Sequence, residues 1–266
     1  MATLLLAGCK HETKEFTTHT VKGETCYLQA FDEPYIFDLD TIGVKVTYAV
    51  DWPDEGLLSN SALRELQYVC FGDSTAANVE QAAQQWMDGI VFYDEGHRVP
   101  EESGDGYEGG VSTAELEGGW EVNDNLATFS AFLQYSPFGA AHGTYSCNIL
   151  TVDLETSNAI HLTDLVTDTN LLCEAVAHAI QDLDVNEDVL GCLFDEFVDV
   201  ERMPLPRNFT IDSARNSITV YYGLYEITPY ACGIPEVILP IYWLSKHVPL
   251  TPYAKELFGP DSYCKE

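Results

Sequence analysis

The sequence predicts an α+β fold: a mixed or mostly antiparallel sheet flanked by helices, arranged as two closely packed halves. Apolar and polar residues alternate along 42–52, 120–135, 144–154, 209–212, 217–222 and 237–243, the period of half-buried strands. Segments 59–69, 78–90 and 163–183 instead repeat their apolar residues at the spacing of an amphipathic helix. Strands and helices do not succeed one another as regular βαβ units, which argues against an all-parallel sheet. With 266 residues, 46% of them hydrophobic, the chain carries enough apolar surface for a large core.

Taken in order, residues 10–22 are polar and read as a tether. The run I-G-V-K-V-T-Y-A-V-D-W over 42–52 makes a strand, closed by the turn residues of 53–56. Helices follow over 59–69 and 78–90, each led by a capping side chain, Ser59 and Asn78. Residues 94–119 turn to Gly, Glu, Asp and Ser, which supply no buried face and predict an exposed loop. Strands over 120–135 and 144–154, joined by S-P-F-G-A-A-H-G, make a hairpin. Residues 163–183 are helical, with Leu171, Leu172, Ala175, Val176, Ala179 and Ile180 on one face. An acidic stretch runs on to Glu201 and is ended by Pro204 and Pro206. Three strands and a short helix over 251–258 complete the chain, with no internal repeat. The expected organisation is a signal remnant and tether (1–22), an N-terminal half (23–134), a C-terminal half (135–250) and a tail (251–266).

Charge narrows the partners. Asp and Glu number 43 against 12 Lys and Arg, for a net charge of -31. Such a field repels nucleic acid and anionic lipid and attracts basic proteins or cations. No run approaches the ~20 apolar residues of a spanning helix. The first nine residues, M-A-T-L-L-L-A-G-C, resemble a bacterial lipobox in which the Cys9 thiol carries diacylglycerol. That resemblance implies an exported protein of the cell envelope, periplasmic or on the outer surface, lipid-anchored through Cys9. Because only eight residues precede Cys9, the translation start is expected further upstream. The other seven cysteines form no C-x-x-C pair, and their connectivity stays open.

No catalytic or metal motif in the sequence is complete. Gly110-Val111-Ser112-Thr113-Ala114 begins like a nucleophile elbow but ends in alanine, inside the expected loop. Asp182-x-Asp184-x-Asn186-x-Asp188 begins like a calcium loop. Glu187 replaces its turn glycine, however, and Leu193 its bidentate glutamate, so no metal or cofactor is expected. His142 sits among small turn residues, able to orient a ligand or to bond a backbone carbonyl. His161 and His178 read as packing or surface histidines. Tyr221, Tyr222, Tyr225, Tyr230, Tyr242 and Trp243 form a ladder that strand alternation divides between core and exposed contact.

Two blocks carry a family resemblance. Y-S-P-F-G-A-A-H-G-T-Y-S-C-N-I-L-T-V-D-L, then I-H-L-T-D-L, is similar to the start of the C-terminal domain of RsiV-type anti-sigma factors, through Gly139, His142, Gly143, Asn148, Asp153, Leu162, Asp164 and Leu165. The block over 209–244 resembles that family's tyrosine-rich ending, through Tyr225, Glu226, Ile227, Pro229, Tyr230, Gly233, Pro240 and Tyr242. The family occurs in anti-sigma factors that sense lysozyme, beside polysaccharide deacetylases of the PdaC type, and in lipoproteins. The resemblance therefore implies a binding lipoprotein rather than an enzyme. Its ligand contacts are His142, Tyr225, Glu226, Tyr230 and Tyr242, and its partner is a basic, lysozyme-like protein or cell-wall glycan. The alternative is a glycan hydrolase or deacetylase using His142 with Asp153 or Asp164, and a structural role in envelope assembly is the third reading.

Overall fold

The alternating run at 42–52 becomes the strand around which the first half is built, β2 (Thr41–Pro53). It pairs antiparallel with β1 (Thr18–Ala30) and parallel with β3 (Val111–Asn123). β4 (Leu126–Ser136), β5 (Thr144–Asp153) and β6 (Asn158–Ile160) continue the sheet antiparallel, in the order β1-β2-β3-β4-β5-β6. This computed structural model describes residues 15–30, 41–97, 110–138, 140–198, 200–212, 214 and 216–263. Cys9, Gly139, Cys264 and 98–109 of the acidic glycine segment lie outside the described residues.

The parallel step from β2 to β3 requires a crossover, which α1 (Asn60–Phe71) and α2 (Val79–His97) supply. Ser59 caps α1 by accepting the Ala62 N–H at 3.2 Å, and Gly72 ends it at φ 70° with its N–H on the Tyr68 carbonyl. Asn78 caps α2 through the Gln81 N–H at 2.9 Å. Leu66, Ala82 and Ala83 then bury against Val44, Val46, Val50 and Phe129 on one face of the sheet. A fully buried Leu or Val in this layer contributes about 1.5–3 kcal/mol. A Cβ on Gly118 would strike the Phe129 ring, so that position stays bare.

The second core forms around α4 (Thr169–Asp182), capped by the Asp168 carboxylate. Leu172, Val176 and Ile180 pack with Ile218, Val220 and Leu239 of the antiparallel sheet β7 (Asn208–Ile211), β8 (Ser217–Tyr221), β9 (Glu236–Pro240). α3 (Leu162–Leu165) and α5 (Glu187–Leu190) flank α4 in sequence. α6 (Ile241–His247), α7 (Pro252–Phe258) and α8 (Pro260–Tyr263) close the core. Asn208 joins the two sheets by imitating a strand residue. Its side chain accepts from the Ile149 N–H at 3.0 Å and donates to the Cys147 carbonyl at 3.1 Å on β5.

The α+β class with a mixed sheet is as expected, and five local expectations are corrected. Thr18–Lys22 belongs to β1 rather than to a tether, because it pairs with Ala49–Pro53. Residues 94–97 extend α2, and β3 begins at Val111 within the expected loop, its Ser112 buried and accepting the Phe138 N–H at 2.9 Å. The supposed strand 120–135 is the end of β3, a turn with Asp124 at φ 53°, and β4. The expected boundary at 134/135 falls inside the β4–β5 pairing, and Leu126 of β4 already packs in the second core. The helix of 163–183 breaks between α3 and α4, where Asp168 takes a cap conformation. Finally, Ile241–Trp243 leaves the expected strand and opens α6 after Pro240.

Candidate functional site

Helices α1 and α2 cover one face of the six-stranded sheet, and the alternation of β3, β4 and β5 directs their other side chains to the opposite face. Glu117 lies opposite Phe132, which lies opposite Cys147; one level along, Glu115, Gln134 and Tyr145 are aligned in the same way. Phe132 is 42% exposed although its neighbours on that side of β4 are Ser130 and Gln134. Its ring meets Tyr145 at 5.7 Å, and Tyr145 meets Tyr230 edge-on at 5.8 Å.

Tyr230 is the hub of this row. His142 stacks on it at 4.2 Å with 26° between the planes, and Tyr225 lies on it at 5.9 Å and 30°. Separate local devices fix these rings. Tyr230 opens a 3-10 turn, Tyr230–Cys232, whose Cys232 is bonded to Cys192 beyond α5. Gly233, at φ 75°, then closes the turn onto the Tyr230 carbonyl, and a Cβ there would sit 3.4 Å from the Tyr145 hydroxyl. Tyr225 is held at φ 61°, a left-handed conformation that costs a non-glycine residue about 1 kcal/mol or more. The Glu226 carboxylate keeps it there by accepting the Gly223 N–H at 2.7 Å. His142 donates from Nδ1 to the Gly143 carbonyl at 2.9 Å.

Of the five residues expected to touch a ligand, the structure gathers His142, Tyr225 and Tyr230, with Glu226 bracing the turn that carries Tyr225. Tyr242 is elsewhere, 41% exposed on α6 with Lys246 over its ring at 5.8 Å. Tyr222 is wholly interior. Tyr221 is half-buried, its hydroxyl 3.2 Å from that of Thr210, and burial raises its phenol. Phe132 and Tyr145 were not singled out by sequence reasoning. Their signal was an aromatic recurring on the polar side of a strand.

Acidic groups border the aromatic row. Glu115, Glu117 and Glu121 are exposed on β3, and Asp51 joins Glu117 and Phe132 around a shallow hollow of about 420 Å³. A deeper groove of about 660 Å³ runs between this sheet and the smaller one, lined among others by Asp51, Glu121, Asp212 and Tyr221. On the helix side, a cavity of about 700 Å³ between the two cores is lined by Tyr68, Asn148 and Arg207, with His161 at its wall. His161 Nε2 lies 2.8 Å from Glu65 and its Nδ1 3.3 Å from Asp164.

The aspartates of the enzymatic alternative are engaged elsewhere. Asp153 is 5% exposed and accepts from the Glu155 N–H at 2.8 Å and the Tyr253 hydroxyl at 3.0 Å. Asp164 accepts the His161 N–H at 2.8 Å. In the acidic run that begins like a calcium loop, Asn186 is 1% exposed and spends its amide on the backbone of Ala179 and Ile238. Among the described residues no group of three or more His, Cys, Asp or Glu is placed to hold a metal ion, and no helix is long and apolar enough to cross a membrane.

Residues 164–242 match the DUF3298 family, described as "Protein of unknown function". The range begins at Asp164 of α3 and ends at Tyr242 of α6, so it takes in α4, the sheet β7–β9, Tyr225 and Tyr230, and leaves the part of the second core after α6 begins outside it. No curated protein matches the chain. A crystal structure of a DUF3298-family member from Bacteroides fragilis is similar at TM-score 0.57 and 20% identity, over 90% of this chain and 96% of that one. A DUF3298-family protein from Pseudomonas aeruginosa is similar at TM-score 0.52 and 16% identity, over 91% of this chain and 97% of that one. At these identities the likeness is one of fold.

Proposed function

We propose that this protein is an exported binding lipoprotein of the cell envelope, anchored through Cys9, whose RsiV-type C-terminal half recognises a basic protein of the lysozyme kind. The observation that carries the proposal is the row Phe132, Tyr145, Tyr230, His142 and Tyr225, with Phe132, His142 and Tyr225 exposed and Tyr145 and Tyr230 half-buried, lying beside the carboxylates of β3. Tyrosine contributes broad apolar contact with few rotatable bonds and is enriched at the energetic centres of interfaces. Carboxylates around such a centre steer a cationic partner to it, and the net charge of -31 adds long-range attraction.

Titration of the whole protein with lysozyme at low and high salt tests the proposal. Affinity falls as salt rises, and Tyr230→Ala weakens it by about tenfold or more, because the hub ring makes three of the row's contacts. Absence of binding at low salt removes the basic-protein reading. The stacked rings of His142, Tyr230 and Tyr225 also favour a second reading, a cell-wall glycan packing against the exposed rings of His142 and Tyr225 that Tyr230 supports. A neutral chitin oligosaccharide would then bind with little dependence on salt, and with the same sensitivity to Tyr230→Ala.

A further inference from the structure

We propose that β1 is a self-pairing edge, through which two copies of this chain join antiparallel about Gly23 and fuse their six-stranded sheets into one. β1 ends the sheet, and among the described residues no strand pairs with its outer side. It runs 13 residues without proline or bulge, the kind of edge that recruits another strand unless it is blunted. The other long edges of this fold are managed: the Asn186 side chain occupies β9 at Ile238, and Asn208 occupies β5 between Cys147 and Ile149. Among the described residues no side chain covers the backbone edge of β1 in this way.

Charge identifies the occupant as a second copy. The only charged residues of β1 are Lys22 and Glu24, on either side of Gly23. An antiparallel pair centred on Gly23 sets Lys22 of each copy opposite Glu24 of the other, on the same face of the sheet, so the two-fold axis creates two opposite-charge pairs and no like-charge pair. The register also places Val21 opposite Thr25, and exposed Leu28 opposite Thr18. Net charge is the obstacle to any self-association of a chain at -31, and little of it lies on the strands at this edge. β1 carries Lys22 and Glu24 and β2 carries Lys45 and Asp51, so the two paired strands are themselves neutral, and the acids of the segment that links them, Asp32, Glu33, Asp38 and Asp40, follow Ala30 in sequence. The pairing leaves the aromatic row uncovered and presents it twice.

Light scattering or sedimentation of the purified chain over a concentration series reads the assembly. The wild type forms a dimer, and Lys22→Glu or Glu24→Lys alone each weaken it by about tenfold or more, because every change acts twice across the axis. The double exchange, Lys22→Glu with Glu24→Lys, restores the dimer. Both side chains are exposed, so the thermal midpoint of each variant stays at the wild-type value and separates lost assembly from lost folding. As a register check, Thr20→Cys faces the partner's Cys26, and oxidised glutathione accepts the two hydrogens as the disulfide closes, giving a covalent dimer on a non-reducing gel. A wild type that stays monomeric, single variants that leave the dimer intact, or a double exchange that fails to restore it overturns the proposal. None of these outcomes bears on lysozyme binding by the aromatic row.

Discussion

Tyr222 and Tyr225 stand three residues apart in one tyrosine-rich stretch and end in opposite surroundings. Tyr222 is 1% exposed and donates its hydroxyl to the Pro204 carbonyl at 2.9 Å; Tyr225 is 55% exposed at the rim of the aromatic row. Strand alternation alone does not separate them, because β8 stops at Tyr221 and the chain turns at Gly223. Burial pushes the Tyr222 phenol and the Cys70 thiol far above their ordinary values. The sign follows from proton linkage. In the unfolded chain these groups ionise near their ordinary pKa, about 8.5 for Cys and 10 for Tyr, while the folded protein keeps its protons. Stability is therefore unaffected by them below about pH 8 and falls as pH rises beyond it. Denaturant midpoints measured from pH 7 to 10.5 should fall, with a shallower slope in Cys70→Ala. Asp73 works in the other direction. Hydrogen bonds from the Thr75 hydroxyl and N–H hold its carboxyl below the usual range, so whatever it contributes is lost in acid.

Elements in this fold depend on single side chains that reach across to a neighbour's backbone. The buried Asn186 makes three hydrogen bonds, to Ala179 and to both backbone groups of Ile238, tying the end of α4 to β9. Asn186→Ala leaves those groups unsatisfied and is expected to cost about 2–4 kcal/mol, read as a lower denaturant midpoint with an unchanged slope. The acid-rich spacing around Asn186 looks the same whether its amide points to a cation or to a strand. Only the position of β9 decides. The Cys192–Cys232 disulfide anchors the turn that starts at Tyr230 and spans 40 residues of sequence. Replacing both cysteines by serine should lower stability by about 2–4 kcal/mol. It should also weaken lysozyme binding at temperatures where the protein is still folded, since the hub of the aromatic row loses its tether. Sequence spacing left that pairing among many. Helix caps, by contrast, were legible: Ser59 and Asn78 each stand where a polar side chain meets the first turn of a helical repeat.

Across the whole molecule, an excess of carboxylates sets how the protein responds to ions. At -31 the folded chain repels itself more than its expanded form does, and salt screens that repulsion over about 8 Å at physiological ionic strength. The thermal midpoint should therefore rise between low and moderate sodium chloride, while affinity for lysozyme falls over the same range. A midpoint that is flat or falling with salt would count against a self-repelling fold. The two cores meet across β5, where Asn208 bonds to Cys147 and Ile149 and Thr151 donates to the Phe209 carbonyl at 3.4 Å. Loss of either sheet should therefore weaken the other.

By itself the amino-acid sequence determined the α+β class, the capped helices of the crossover, the apolar face of α4 and the acidity of the surface. Each of these is written in the spacing or composition of neighbouring residues, and local sterics and side-chain chemistry act at that range. It also pointed to His142, Tyr225 and Tyr230 through their resemblance to a known family. Tertiary structure alone decided that these three rings meet, that Phe132 and Tyr145 extend them, that Tyr242 stands apart on a helix, and that Asn186 and Asn208 close sheet edges. Those outcomes rest on contacts between residues tens of positions apart, such as Tyr145 with Tyr230. The energy of such a contact appears only once the chain has brought both partners together.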